Sequence, residues 1–367
     1  MVHKNVNLSL FIVSVTLLTL IGLIFIYSSS SFFALEKLGS AHYFVKKQVA
    51  GLLLGIISLF FCALIPLRSI KKYTPLFFCI TLLLTLATLI PPFAVHINGS
   101  HRWVKFLGFS FQPSELLKVS FILYIAYFLT KKQYKRNSFI HGYLPFLCVL
   151  GITGLLLLKQ PDFGQAVTLC TTAFILFFIA QMHLKFLCAT IIPVIPLTIL
   201  LVFLKPYRLH RILTFLNPWE DRQGAGFQII QSLIAIGSGK WLGVGIAQSK
   251  QKFFYLPMQH TDFIFSIIAE EVGFIGALFL ILLYVLLFYT GFRIAWHIKD
   301  PFCQFTVLGF IILINLQAII NLCVTTGLLP TKGIGLPFVS YGNSSLMCML
   351  AIVGIIINCA KNEKQYS

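Results

Sequence analysis

The chain has 367 residues, 58% of them hydrophobic and only 10% charged, and its formal net charge is +18. Soluble domains carry roughly 45–50% apolar and about 25% charged residues. With a mean hydropathy of +0.91, a water-soluble enzyme, a disulfide scaffold and a disordered chain are all excluded, and a polytopic helical membrane protein remains.

A helix needs about 20 apolar residues to cross the hydrocarbon core, and backbone exposed to lipid must satisfy its own hydrogen bonds. Uncharged stretches of that length recur along the chain. They predict an all-α bundle of about ten transmembrane helices in one integral membrane domain over 1–367. The expected spans are 8–29, 46–66, 73–95, 113–130, 139–158, 163–182, 186–204, 263–290, 303–327 and 338–360. The first span is too long for the apolar core of a signal peptide and reads as a retained helix. The apolar part of 223–239 is short and mixed with Gln, Gly and Ser, so it reads as an interfacial or re-entrant helix. Lys and Arg concentrate in the short loops that lie inside when both termini are inside, among them Arg68, Lys71, Lys72, Lys131 and Lys132. The long loop 205–262 between helices 7 and 8 then lies outside.

That loop carries Lys205, Arg208, Arg211, Arg222, Lys240, Lys250 and Lys252, and the short outer loops and helix ends carry Lys37, Lys46, Lys47, Arg102, Lys105, Lys159 and Lys332; topology explains none of these. They suggest an anionic ligand, a phosphate or pyrophosphate, at the outer leaflet. Nucleic acid is not expected there. The nine cysteines fall within predicted spans, without C-x-x-C, so neither disulfide framework nor zinc site is expected.

Acids are rarer and more informative, because an ionisable residue in a span is costly. Glu115 and Lys118 share a face of the fourth helix at i, i+3. They form a structural ion pair or line an outward-opening polar cavity. Asp162, in Lys159-Gln160-Pro161-Asp162-Phe163-Gly164, is an N-cap for the sixth helix or faces the same cavity. Asp262 closes the long loop beside His260. It complements the helix dipole or, partly desolvated, keeps a raised pKa and acts as a base. Glu270 and Glu271 lie deeper on other faces of that helix, and at least one is expected to pair structurally with a neighbouring helix. The last outer loop, 327–337, is rich in Gly and Pro and carries Lys332, with Ser340 and Ser344 just beyond. Such backbone at membrane depth is buried or lines a wet cavity. Taken alone, these residues predict an outward-facing site for an anionic amphiphile and do not separate enzyme from transporter.

Five runs do separate them: NGSHRWVKFLGFSFQPSELLK (98–118), KQPDFG (159–164), FLNPWEDRQGAGFQIIQSLIAIGSG (215–239), YLPMQHTDFIFSIIAEEVG (255–273) and GLLPTKGIGLPFVSYGNSS (327–345). In order and spacing they resemble the SEDS family. NPWED (217–221), the run Ser249-Lys250-Gln251-Lys252 and LPTKG (329–333) make the chain more similar to the division branch than to the elongation branch. The resemblance implies a peptidoglycan glycosyltransferase polymerising lipid II, a disaccharide-peptide on undecaprenyl pyrophosphate. It implies Asp262 as the essential carboxylate, Glu115 and Lys118 as cavity residues, and Asp162 as the acid of the QPD motif. Arg208 and Arg211 match the family's Arg pair. Lys332, Arg208, Arg211 or a divalent cation (Mg or Mn), held loosely with substrate oxygens, would neutralise the leaving pyrophosphate. It further implies a class B penicillin-binding protein as partner, other divisome proteins, and residence in the bacterial cytoplasmic membrane at the septum. Two positions depart from the family pattern: Met258, where Glu is usual, and Asn343, where Gly is usual. A lipid II flippase and a non-catalytic divisome scaffold are the competing expectations.

Overall fold

The computed structural model describes residues 2–90, 95–97, 100–106, 109–131, 138–203, 213–222, 224, 226–252, 256–331 and 333–362. Its helices are α1 (Val2–Leu38), α2 (Tyr43–Leu64), α3 (Leu67–Ala87), α4 (Pro113–Lys131), α5 (Leu144–Lys159), α6 (Phe163–Ile179), α7 (Leu184–Phe203), α8 (Phe227–Ser238), α9 (Ile264–Trp296), α10 (Pro301–Thr325) and α11 (Asn343–Lys361). Three short strands, β1 (Val95–Ile97), β2 (Ser100–Phe106) and β3 (Phe109–Phe111), form an antiparallel sheet of order β1-β2-β3 between α3 and α4. Of the described helices, α1, α2, α3, α4, α5 with its preceding turn, α9, α10 and α11 are long and apolar enough to cross a membrane. α6 is apolar and 17 residues long, and α7 spans 20 residues. The chain is a multi-pass membrane protein.

Burial sorts the helices. The apolar windows of α4, α10 and α11 are 78%, 72% and 72% buried, those of α2 and α3 only 17% and 22%. The first three therefore form the centre, and α2 and α3 leave Leu53, Phe60, Phe61, Leu76 and Leu83 exposed on the outside of the bundle. α11 lies along α2, α1 along α9, α4 between α3 and α10, and α6 against α5 and α10. Lipid tails are as apolar as leucine, so close backbone approach replaces the hydrophobic effect as the packing force. Gly354 of α11 provides it: a Cβ there would stand 2.3 Å from the Leu59 carbonyl oxygen of α2.

α1 continues to Leu38 and α9 to Trp296, beyond the apolar spans expected at 8–29 and 263–290. Polar ends are tolerated because only the middle of each helix must be apolar. α8 has 12 residues; at 1.5 Å per residue it is about 18 Å long, too short to cross. It packs on α9 and α10 with Ile229, Ile230, Ser232 and Ala235 buried.

α9 is broken at Gly273 (φ 69°, ψ −168°). A break frees backbone groups that lipid cannot satisfy. The loop after α8 supplies the partners. Val244 N donates to Glu270 O (3.0 Å) and Gly245 N to Glu271 O (3.0 Å), while Phe274 N donates to Lys240 O (2.8 Å). A Cβ at Gly273 would lie 2.3 Å from Gly243 N, and its dihedrals fall where essentially only glycine goes. Gly273→Ala should cost about 1–3 kcal/mol in backbone strain alone, read as a lower melting temperature in detergent. An unchanged melting temperature would contradict the kink.

The two acids above the kink hold the same loop. Glu271 accepts from Ser28 Oγ of α1 (2.6 Å) and pairs with Lys252 Nζ (3.5 Å); Glu270 accepts from Lys250 N (2.9 Å) and from Ser249 Oγ. Both are structural anchors, Glu271 reaching a neighbouring helix.

Candidate active site

The site gathers where the start of α4, the α5–α6 turn, the start of α9 and the loop between α10 and α11 meet. Pro113 occupies the first turn of α4, where its missing N–H costs nothing. One turn on, Lys118 Nζ lies 2.7 Å from Glu115 Oε2, and both side chains are buried. Gln165 of α6 donates from Nε2 to the other carboxylate oxygen (3.2 Å). The pair thus forms at the expected spacing and fastens α4 to α6.

Asp162 caps α6, accepting from Gln165 N (3.3 Å). It also faces Arg102 of β2, whose Nη1 lies 3.6 Å from Oδ2. Arg102 donates from Nε to Gln160 O (2.8 Å) and from Nη2 to Pro161 O (2.7 Å). One guanidinium therefore ties the small sheet to the α5–α6 turn. Burial raises the Asp162 carboxyl; Arg102 and the Gln165 amide pull it back down.

Asp262 stands just before α9 and is partly exposed. Desolvation pushes its carboxyl up to about 7; the Asp162 charge adds to that rise and Arg102 opposes it. Its backbone is clamped. Asn321 of α10 donates from Nδ2 to Asp262 O (2.8 Å) and Ile334 O (2.7 Å). Ser340 donates from Oγ to Thr261 O (2.6 Å) and accepts from Leu336 N (2.7 Å). Tyr341 N donates to His260 O (2.9 Å). Gly333 approaches the carboxyl closely enough that a Cβ would meet Oδ2 at 3.5 Å.

His260 sits among aromatic rings, with Phe44 at 4.4 Å, Tyr341 at 5.7 Å and Phe33 at 6.0 Å between centroids. Its buried Nδ1 has no hydrogen-bond partner among the described residues, and burial lowers its pKa to about 4. Desolvation there favours the neutral ring. Ser344, in the first turn of α11, accepts from Gln112 N (3.1 Å) and joins α11 to the start of α4. Arg208, Arg211 and Lys332 lie outside the described residues.

In the sequence Arg102 is only one of many outer basic residues, and Gln165 and Asn321 are given no role. Two signals were available. Arg102 ends a long uncharged stretch inside the 98–118 run, and Asn321 is a polar residue in an otherwise apolar span. Among the described residues, no group of three or more His, Cys, Asp or Glu is placed to hold a metal ion. Asp262 offers one carboxylate, and Asp162 is engaged by Arg102.

The profile of the cell cycle protein family FtsW/RodA/SpoVE matches residues 8–365. The chain belongs to this family. Among its relatives is the probable peptidoglycan glycosyltransferase FtsW of Geobacter sp. (strain M18), 41% identical over 342 residues, 93% of each chain. The stage V sporulation protein E of Bacillus subtilis (strain 168) is 40% identical over 365 residues, 99% of this chain and 100% of that one. A chain from a structure described as "Structural coordination of polymerization and crosslinking by a peptidoglycan synthase complex" superposes with a TM-score of 0.76 at 30% identity, covering 94% of this chain and 98% of the other. The rod shape determining protein RodA of Thermus thermophilus shares the fold, with a TM-score of 0.69 at 24% identity over 97% of each chain. The SEDS resemblance is borne out by this membership.

Proposed function

We propose that the chain polymerises lipid II into glycan strands during septal cell-wall synthesis, with Asp262 as general base. Family membership, with FtsW relatives at 41% identity over most of the chain, makes it an enzyme, a peptidoglycan glycosyltransferase. The observation that carries the finer reading is the Asp262 carboxyl, raised to about 7 and held by backbone clamps from two other elements.

The acceptor's GlcNAc 4-hydroxyl attacks the anomeric carbon of the donor's MurNAc, and the configuration inverts. The hydroxyl proton passes to the Asp262 carboxylate as the new C–O bond forms, and undecaprenyl pyrophosphate leaves with the electron pair of the old bond. A base with a pKa near the working pH is both available in its charged form and strong enough to take the proton. Arg102 and the basic residues Arg208, Arg211 and Lys332 provide positive charge toward a departing pyrophosphate. A divalent cation, if carried in, would be held by pyrophosphate oxygens with Asp262 as the available protein carboxylate. The reading places both termini in the cytoplasm, the site at the outer leaflet, and a class B penicillin-binding protein beside the chain to cross-link the product.

The test is glycan formation from lipid II by purified chain, alone and with its cognate class B penicillin-binding protein. Glycan in either case supports the polymerase. No glycan in both, with a working control polymerase, moves the reading to a flippase or a scaffold.

A further inference from the structure

At the end of the bundle opposite the Asp262 site, the start of α3, the end of α4 and the start of α10 enclose a cavity of about 430 Å³. Arg68, Lys71 and Lys72 line it together with Tyr127, Asp300 and Phe302. Phe302 is buried and forms the floor, with Lys71 Nζ 5.6 Å from its ring centre. The one carboxylate, Asp300, is already engaged: it caps α10 by accepting from Cys303 N (2.9 Å). Three cations against one carboxylate leave the lining net positive, which favours an anion. A bias of basic residues to one side of the membrane accounts for their sign, but not for their convergence on one concavity.

A second observation says what kind of anion. Arg68 and Lys72 are four residues apart on α3, and Leu76, Ile80 and Leu83 follow within about 80° of Lys72 around the helix. These three are 58%, 46% and 61% exposed. Cationic cavity and apolar stripe thus run end to end along one helix, matching a molecule with an anionic head and acyl tails.

We infer that this cavity is a binding site for the phosphate headgroup of an anionic glycerophospholipid in the leaflet opposite the Asp262 site, its tails lying along Leu76, Ile80 and Leu83. The phosphodiester meets Lys71 and Lys72 at the rim, and the Tyr127 hydroxyl is available as a neutral donor. The inference rests on the membrane-spanning fold and is independent of the glycosyltransferase reading.

Native mass spectrometry of the purified chain in detergent tests it, with phosphatidylglycerol and phosphatidylcholine of identical acyl chains added in parallel, and inorganic phosphate as competitor. Phosphatidylglycerol should bind in preference to phosphatidylcholine. Each surface lysine contributes appreciably to anionic lipid binding, so Lys71→Ala with Lys72→Ala should weaken it about tenfold or more. Lys71→Arg with Lys72→Arg should retain it. Arg293→Ala with Lys361→Ala removes two charges outside the cavity and should leave it within about twofold, as expected for a local effect. Equal binding of both lipids, an equal loss in the two alanine pairs, or displacement of the lipid by millimolar phosphate would each overturn the proposal, the last by assigning the cavity to free phosphate.

Discussion

Asp262→Asn should leave a folded chain that makes almost no glycan. Asn is nearly the same size and keeps the backbone clamps from Asn321, Ser340 and Tyr341, none of which uses the carboxyl. It cannot take a proton from the acceptor hydroxyl. Loss of a positioned base costs about 10²–10⁴ in rate, so single-turnover polymerisation should fall by that factor while lipid II still binds. Stability should move the other way. Burial raises this carboxyl from 3.8 to about 7, so the folded chain binds the proton more tightly than the unfolded one. Native stability therefore falls as pH rises between those values, and the cost is fully present above 7. The Asn variant should melt at the same or a higher temperature at pH 8. A variant that melts far lower would mean the carboxyl is a structural tie. Glycan at the native rate would move the base elsewhere.

Lys118→Ala should be among the most destabilising single changes in the chain. Lys118 and Glu115 are buried with a 2.7 Å contact. Removing one member of such a pair strands a charge and typically costs about 3–5 kcal/mol. Replacing both, as Glu115→Gln with Lys118→Met, removes the stranded charge and should recover most of the stability. The double variant also decides between the two roles the sequence left open. If the pair only fastens α4 to α6, glycan synthesis returns with stability. If it touches substrate, the double variant melts normally and stays impaired. Thermal melting in detergent and polymerisation rate, measured on the same preparations, separate the two. A single variant that melts like the native chain would contradict the buried pair.

The membrane-spanning helices were legible because charge is excluded from hydrocarbon, so gaps between charged residues print the spans directly. The Glu115–Lys118 pair and the Asp162 cap were legible because both depend on spacing within one helix. The kink at Gly273 was not. A single glycine in a long apolar run looks like continuous helix, and the residues that satisfy its freed backbone groups, 240–245, come about thirty positions earlier. The strands β1 to β3 were not legible either, because three short strands between two spans carry no hydrophobic run long enough to mark them. Arg102 shows the same limit. Its guanidinium meets Gln160, Pro161 and Asp162 only after some sixty residues of chain fold back. His260 stands near Asp262 in sequence, but the rings of Phe44, Tyr341 and Phe33 that surround it come from three other segments.

The most direct test of the account is the pH dependence of glycan formation at low lipid II, for the native chain, Arg102→Ala and Asp162→Asn. With Asp262 as base, the native rate should rise about tenfold per pH unit and level off near 7. Arg102 lowers the Asp262 pKa and Asp162 raises it. Losing the arginine should therefore shift the limb to higher pH, and losing the Asp162 charge should shift it to lower pH. A limb that stays in place in both variants, or a native rate that is flat between pH 5 and 8, would contradict Asp262 as the base.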